Sequence, residues 1–228
     1  MFAKFTKDMK QTHTILIPTM IDPHFRFMQG VLKADGYKSI LLSENRQNIV
    51  EEGLKSVHND MCYPALLVIG QFIDALKSGE FDTHKVALLI SQTGGGCRAS
   101  NYINLLRKAL EDSGFSYVPV ISLNFSSLDE NEFVLSKKAL LRLFGAIFYG
   151  DLLMCLYNQC KPYEKKPDFT DEIFERCVSE ICDQVGKKSF FRLRKNFKFI
   201  LSNFAKIQRS NEKKVKVGIV NASKHKIK

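Results

Sequence analysis

The sequence predicts an α/β protein: a parallel-sheet domain with helices on both faces, followed by a C-terminal helical segment. Three observations lead there. Short apolar runs alternate with stretches of helical period over the first 125 residues, the order that builds strand–helix–strand units around a mainly parallel sheet. One run, Lys85–Ser91 (KVALLIS), is apolar without alternation, as in a strand buried on both faces. Beyond residue 128 the strand signals give way to apolar residues at three- and four-residue spacing, the mark of helices.

Taken in order, Thr14–Pro18 (TILIP) reads as the first buried strand, and a helix near Pro23–Ala34 ends at Asp35-Gly36. Ile40–Leu42 is a short second strand, and Ser43–Leu54 is polar loop with some helix. Tyr63–Lys77 is helical, with Leu66, Ile69, Ile73 and Leu76 on one side. After the Lys85–Ser91 strand come a glycine loop at Gln92–Gly96, a helix over Arg98–Ser113 and a strand over Tyr117–Asn124. Right-handed crossovers place the loops that follow these strands at one sheet edge, where such folds bind ligands. Asn131–Tyr157, Thr170–Val185 and Ser189–Gln208 read as three helices, and Lys213–Val220 (KKVKVGIV) as one more strand. The resulting division is an α/β domain over 1–128, a helical segment over 129–212 packing on it, and a strand with a basic tail over 213–228, the possible start of a second α/β domain.

Composition narrows the class. With 45% hydrophobic and 25% charged residues in 228, the chain has enough apolar surface for a real core, which excludes collagen-like and wholly disordered architectures. The first 20 residues carry charges throughout and no signal-peptide core. The most apolar stretch, Ala139–Tyr157, is interrupted by Arg142 and Asp151 and reads as a buried helix, since a span needs about 20 apolar residues. The expectation is a cytoplasmic protein with no membrane contact. Residues 187–228 hold 14 Lys and Arg against the single acid Glu212, so the first 186 residues are near neutral at −3. That basic end reads as a solvated helix face and tail, with attraction to nucleic acid or an anionic surface as the alternative. The scarcity of exposed-looking aromatic motifs there counts against nucleic acid.

Six cysteines without a signal sequence point to thiols in a reducing compartment. Cys97 stands in QTGGGCRASNY, directly after the strongest strand and at the start of a helix. Gly94, Gly95 and Gly96 let the backbone turn tightly and bring N–H groups toward an anion. The helix N-terminus and Arg98 favour a thiolate. The same loop could cradle phosphate, although it does not match the G-x-x-x-x-G-K-[ST] nucleotide motif. Cys62, in HNDMCYPA, precedes a helix whose first turn holds Pro64. It reads either as a small buried side chain beside a turn or, with Cys97, as a ligand to an anionic centre such as an iron–sulfur cluster. Cys155 and Cys160, like Cys177 and Cys182, are five apart and point to different faces of a helix of ~3.6 residues per turn. No ligand is expected among these four, and Cys177 falls on an apolar stripe. The five histidines form no zinc-site pattern, no G-x-S-x-G elbow is present, and His58–Asp60 reads as a proton-transfer group or a solvated loop.

The runs IPTMIDPHFRFMQGVLKADGYKSILL, HNDMCYPALLVIGQFIDAL and KVALLISQTGGGCRASNYINLLRKAL, followed by VPVISLNF, resemble the 2-hydroxyacyl-CoA dehydratase superfamily, in particular its large activase-related branch, where activator domains are fused to a dehydratase-like region. The resemblance covers about Ile15 to Val220, with the two cysteine loops its most specific parts. It implies an α/β protein whose cysteines hold an iron–sulfur cluster, expected as [4Fe-4S], fed with low-potential electrons by an ATP-dependent activator domain or protein. It implies Cys62 and Cys97 as cluster ligands, Gly94, Gly95, Gly96 and Arg98 as the supporting loop, and an acyl-CoA as the possible substrate of a lyase or related reductase. Family members continue after a strand like KVKVGIV into a second α/β domain, whereas here only NASKHKIK follows Val220. The expectation is therefore a truncated copy or one piece of a larger assembly, completed by a second dehydratase-type domain or subunit and not catalytic alone. The alternative is a non-catalytic interaction domain that keeps the fold without the cluster.

Overall fold

A computed structural model describes residues 2–42, 48–58, 61–91, 101–123, 131–212 and 214. Its sheet has four parallel strands: β1 (Thr14–Ile17), β2 (Lys38–Leu41), β3 (Val86–Ser91) and β4 (Val120–Leu123), in the spatial order β2-β1-β3-β4. Thr14 pairs with both Lys38 and Val86, and Leu88 pairs with Val120. The sheet is parallel because each connection is long enough to return the chain to the starting edge through a helix. From β1 the chain steps to β2 on one side, then crosses to β3 on the other. The reversal between β1 and β3 is a topological switch point, and the carboxyl ends of the strands there are the usual ligand position of open α/β sheets.

The fold class read from the sequence is the one observed. Alternate strand residues feed opposite faces, as the two-residue strand period requires. Leu16, Val86, Leu88, Ile90 and Val120 point into one core, which is covered by α4 (Tyr63–Lys77) and α5 (Tyr102–Asp112). Ile15, Ile17, Ala87, Leu89 and Ile121 point into the other. There Leu32 of α2 (His24–Ala34) and the aromatic trio Phe5, Tyr37 and Phe133 cover the sheet.

Residues at the two ends of the α/β unit lock that second face. Asn131 accepts from the Phe5 N–H at 2.8 Å and donates through Nδ2 to the Val120 carbonyl at 3.0 Å. The Tyr37 hydroxyl donates to the Val134 carbonyl at 2.7 Å. Residues 131–136 are therefore extended cover, and α6 (Lys137–Cys160) begins six residues later than its periodicity predicts. Ser136 sets the start: its hydroxyl accepts from the Ala139 N–H at 3.1 Å, and Asp35 accepts from its backbone N–H at 3.1 Å.

Helix α2 serves two layers. Its Phe27 and Val31 face away from the sheet into a core shared with α6, α7 (Phe169–Gln184) and α8 (Leu193–Phe204). The helix expected over Ser189–Gln208 is two elements, a 3₁₀ turn at Lys188–Phe191 and α8, separated at Arg192 with φ −80° and ψ 59°. The polar stretch before α4 contains a second helix, α3 (Ile49–Ser56). A short α1 (Met9–Thr12) precedes β1. The strand expected over Lys213–Val220, and with it the 213–228 unit, lies outside the described residues apart from Lys214.

The reading of Ala139–Tyr157 as a buried helix is corrected. Only one side of α6 is buried, through Ala139, Ala146, Tyr149, Gly150, Leu153 and Cys160. Leu140, Leu141, Phe144, Ile147 and Phe148 are between 37% and 60% exposed. The apolar count of the stretch is shared by two faces, and only the inner one meets α2, α7 and α8.

Candidate functional site

The carboxyl edge of the sheet is built from main-chain ties. Where β1 ends, the Gln71 side chain of α4 grips both sides of Thr19. Its Oε1 accepts from the Thr19 N–H at 2.9 Å, and its Nε2 donates to the Thr19 carbonyl at 3.0 Å. The Thr19 hydroxyl donates to the Leu42 carbonyl, joining the exits of β1 and β2. Gln71 is 4% exposed, so these bonds satisfy polar groups that burial would otherwise penalise.

Helix α4 is positioned by a close crossing with α3. A Cβ placed on Gly70 would lie 2.0 Å from the Ile49 carbonyl oxygen, and one on Gly53 would lie 2.4 Å from that of Leu66. Only glycine permits this backbone approach.

The crossing presents the N-terminus of α4, where Cys62 is the N-cap with φ −68° and ψ 146°. The Cys62 carbonyl accepts from the Ala65 N–H at 3.0 Å, and Pro64 occupies the first turn, where its missing donor costs nothing. The Cys62 thiol is half-buried, with Sγ 3.2 Å from the hydroxyl oxygen of Tyr102. Tyr102 opens α5, the helix that follows the β3 loop. The structure thus brings Cys62 to the helix that the glycine loop leads into. Cys97, Gly94, Gly95, Gly96 and Arg98 themselves lie outside the described residues, as do Asn59 and Asp60, while His58 is exposed.

The other four cysteines are elsewhere, on α6 and α7. Cys177 is fully buried, as its stripe implies, and burial pushes its thiol up to about 11. Burial also raises Cys160 and Cys182, disfavouring the thiolate form. Cys155 is exposed on α6.

Sequence reasoning missed Gln71 and Tyr102. The signal for Gln71 is a lone amide in the otherwise apolar run LLVIGQFI, a polar group that a buried helix keeps only with a partner. Nothing local signals the Cys62–Tyr102 contact, which joins residues 40 positions apart.

Among the described residues, the one group of three or more potential metal-binding side chains is Glu164, Asp168 and Asp171. The Lys161 ammonium already sits within it, 2.7 Å from Glu164, 3.0 Å from Asp168 and 2.5 Å from Asp171. An internal cation therefore fills the position a metal would take. Burial of Glu164 opposes its ionisation, but bonds from Lys161, Thr170 and Asp168 outweigh it and hold the carboxyl at about 2, against an ordinary 4.5. A carboxyl depressed on folding binds its proton less readily than in the unfolded chain. Its stabilisation is complete above about pH 4.5 and is lost as pH falls toward about 2. Lys161→Met is expected to flatten this part of the stability–pH curve, measured as urea midpoints across that range. Equal slopes in the two proteins would show that the cluster does not contribute.

Fold and site together define a doubly wound α/β protein with a cysteine-bearing helix end at its switch-point edge. A scan of protein-family models finds no match to the chain, and searches of curated proteins and of solved structures find none.

Proposed function

We propose that the chain is the iron–sulfur-binding component of a 2-hydroxyacyl-CoA dehydratase-type system, accepting low-potential electrons from an ATP-dependent activator. The observation that carries the reading is the placement of Cys62: a half-buried thiol at a helix N-terminus, touching the tyrosine that opens the next helix of the switch-point edge. The orphan N–H groups of a helix N-terminus suit an anionic ligand set. Cys97 precedes Tyr102 by five positions in the sequence and is the second ligand in this reading, supported by Gly94, Gly95, Gly96 and Arg98.

The donor set tests the fit. Cys62 lies at the sheet edge, open to a further ligand set, whereas Cys160 and Cys177 are buried in the helical core and Cys182 packs against it. Two ligands leave a four-iron cluster incomplete, so the remaining contacts fall to a second dehydratase-type domain or subunit. When bound, such a cluster supplies one-electron transfer at low potential. This chain's own part is to hold Sγ of Cys62 in place, to offer it the Tyr102 hydroxyl as a hydrogen-bond partner, and to fix the edge through Gln71 and Thr19. An acyl-CoA substrate in the cytoplasm follows from the same reading.

A second reading, a non-catalytic interaction domain, is favoured by the exposed apolar face of α6. Iron and acid-labile sulfide per chain, in protein purified without oxygen and reconstituted with a small thiol that fills the sites left to the second domain, separate the two. Near-stoichiometric iron and sulfide are expected. Their absence even after reconstitution would favour the interaction domain.

A further inference from the structure

We propose that the outer face of α6 and the neighbouring 186–195 segment form a docking surface for anionic phospholipid. At ~100° per residue, Leu140, Leu141, Phe144, Ile147 and Phe148 share an arc of about 120°. Each is at least 37% exposed. A contiguous set of this kind differs from the single exposed apolar residues normal on soluble surfaces. Arg142, on the inner side of α6, ties the second segment to the helix: its guanidinium donates to the Gly186 carbonyl at 3.0 Å and lies 5.9 Å from the Phe191 ring. Phe191 and Leu193, 46% and 41% exposed, add apolar side chains on that segment.

The charge around this surface is predominantly basic; the one acid of α6, Asp151, is 69% exposed on the same face and pairs with His24 at 3.0 Å. Residues 137–150 hold Lys137, Lys138 and Arg142 and no acid, and residues 184–211 hold eight Lys and Arg and no acid. Lys187, Lys188, Arg192, Arg194 and Lys195 are exposed in the adjoining segment. Bulky apolar side chains with a basic rim match the boundary between acyl chains and anionic headgroups.

Other occupants fit less well. Two-fold pairing with a second copy would set the basic rim against itself, since such an interface repeats one patch on both sides. Nucleic acid would meet the lysines but leave Leu140, Leu141 and Ile147 without apolar cover. The reading departs from the expectation of no membrane contact, which rested on the lack of an uninterrupted apolar span. Lying on a bilayer is a different relation from crossing it. The helical stretch Lys137–Tyr163 is long and apolar enough to cross a membrane by length and composition, but its inner side is committed to the core through Tyr149 and Leu153.

The test is co-sedimentation of the full chain with phosphatidylcholine vesicles, with and without phosphatidylserine. Binding is expected only to the anionic vesicles, weakening as salt rises. It should fall roughly tenfold in Leu141→Ser/Phe148→Ser and in Lys187→Glu/Lys188→Glu. Both pairs are exposed, so circular dichroism should report unchanged folding. No binding, equal binding to both vesicle types, or binding indifferent to the apolar pair would overturn the proposal. So would a dimer in sedimentation equilibrium that Leu141→Ser/Phe148→Ser dissociates, or duplex DNA that binds in a salt-dependent way and displaces the vesicles.

Discussion

Gly70→Ala is expected to lower the unfolding free energy by about 3 kcal/mol and the melting temperature by about 6–12 °C. In an unobstructed helix the same change would stabilise the protein by roughly 1 kcal/mol, because alanine is the better helix former. Here the new methyl would stand 2.0 Å from the Ile49 carbonyl oxygen and 3.0 Å from the Gly53 nitrogen. Both are backbone atoms that cannot rotate away, so α3 and α4 must separate. Urea denaturation of the two proteins decides the sign. A stabilised Gly70→Ala would mean that the helices do not cross at Gly53 and Gly70. The consequence reaches the site, because α4 carries both Gln71 and Cys62, so the variant is also expected to hold less iron than wild type.

Tyr149→Ala is expected to cost about 3–5 kcal/mol. Tyr149 is fully buried and meets Phe190 and Phe197 edge-on at 5.1 and 5.5 Å between ring centroids. Its hydroxyl donates to the Phe190 carbonyl at 2.6 Å and accepts from Asn196 Nδ2 at 2.8 Å. Tyr149→Phe keeps the ring and removes only these bonds, so it should cost about 1–2 kcal/mol. Comparing the two variants by denaturant unfolding separates packing from hydrogen bonding. Equal losses would show that the polar link, rather than ring packing, joins α6 to α8.

These two sites show what the sequence conveys and where it falls silent. Helix α4 is legible from end to end, because Pro64 marks its first turn and apolar residues recur on one side through Leu76. Strand β3 is legible because burial on both faces removes the polar alternation, and Val86–Ile90 are all buried. The break at Arg192 is not legible. Apolar spacing continues through the 3₁₀ turn, while the bonds that fix it come from Tyr149, 41 residues from Phe190 and 47 from Asn196. The outer face of α6 is illegible for another reason. An apolar residue has the same letter whether it meets a core or solvent, and only tertiary placement separates Leu153 from Leu141. At the candidate site, Cys62 before Pro64 announces a helix N-terminus, but its contact with Tyr102 depends on how α4 and α5 dock on the sheet.

Cys62 and Cys97 are the proposed iron ligands. The most direct measurement is iron and acid-labile sulfide per chain in anaerobically purified wild type, Cys62→Ser, Cys97→Ser and, as a control for thiol loss, the exposed Cys155→Ser. Iron and sulfide are expected in the wild type and in Cys155→Ser, and their loss in the other two. Iron that survives both Cys62→Ser and Cys97→Ser, or a wild type that takes up none on reconstitution with a small thiol present to complete the cluster, would overturn the assignment.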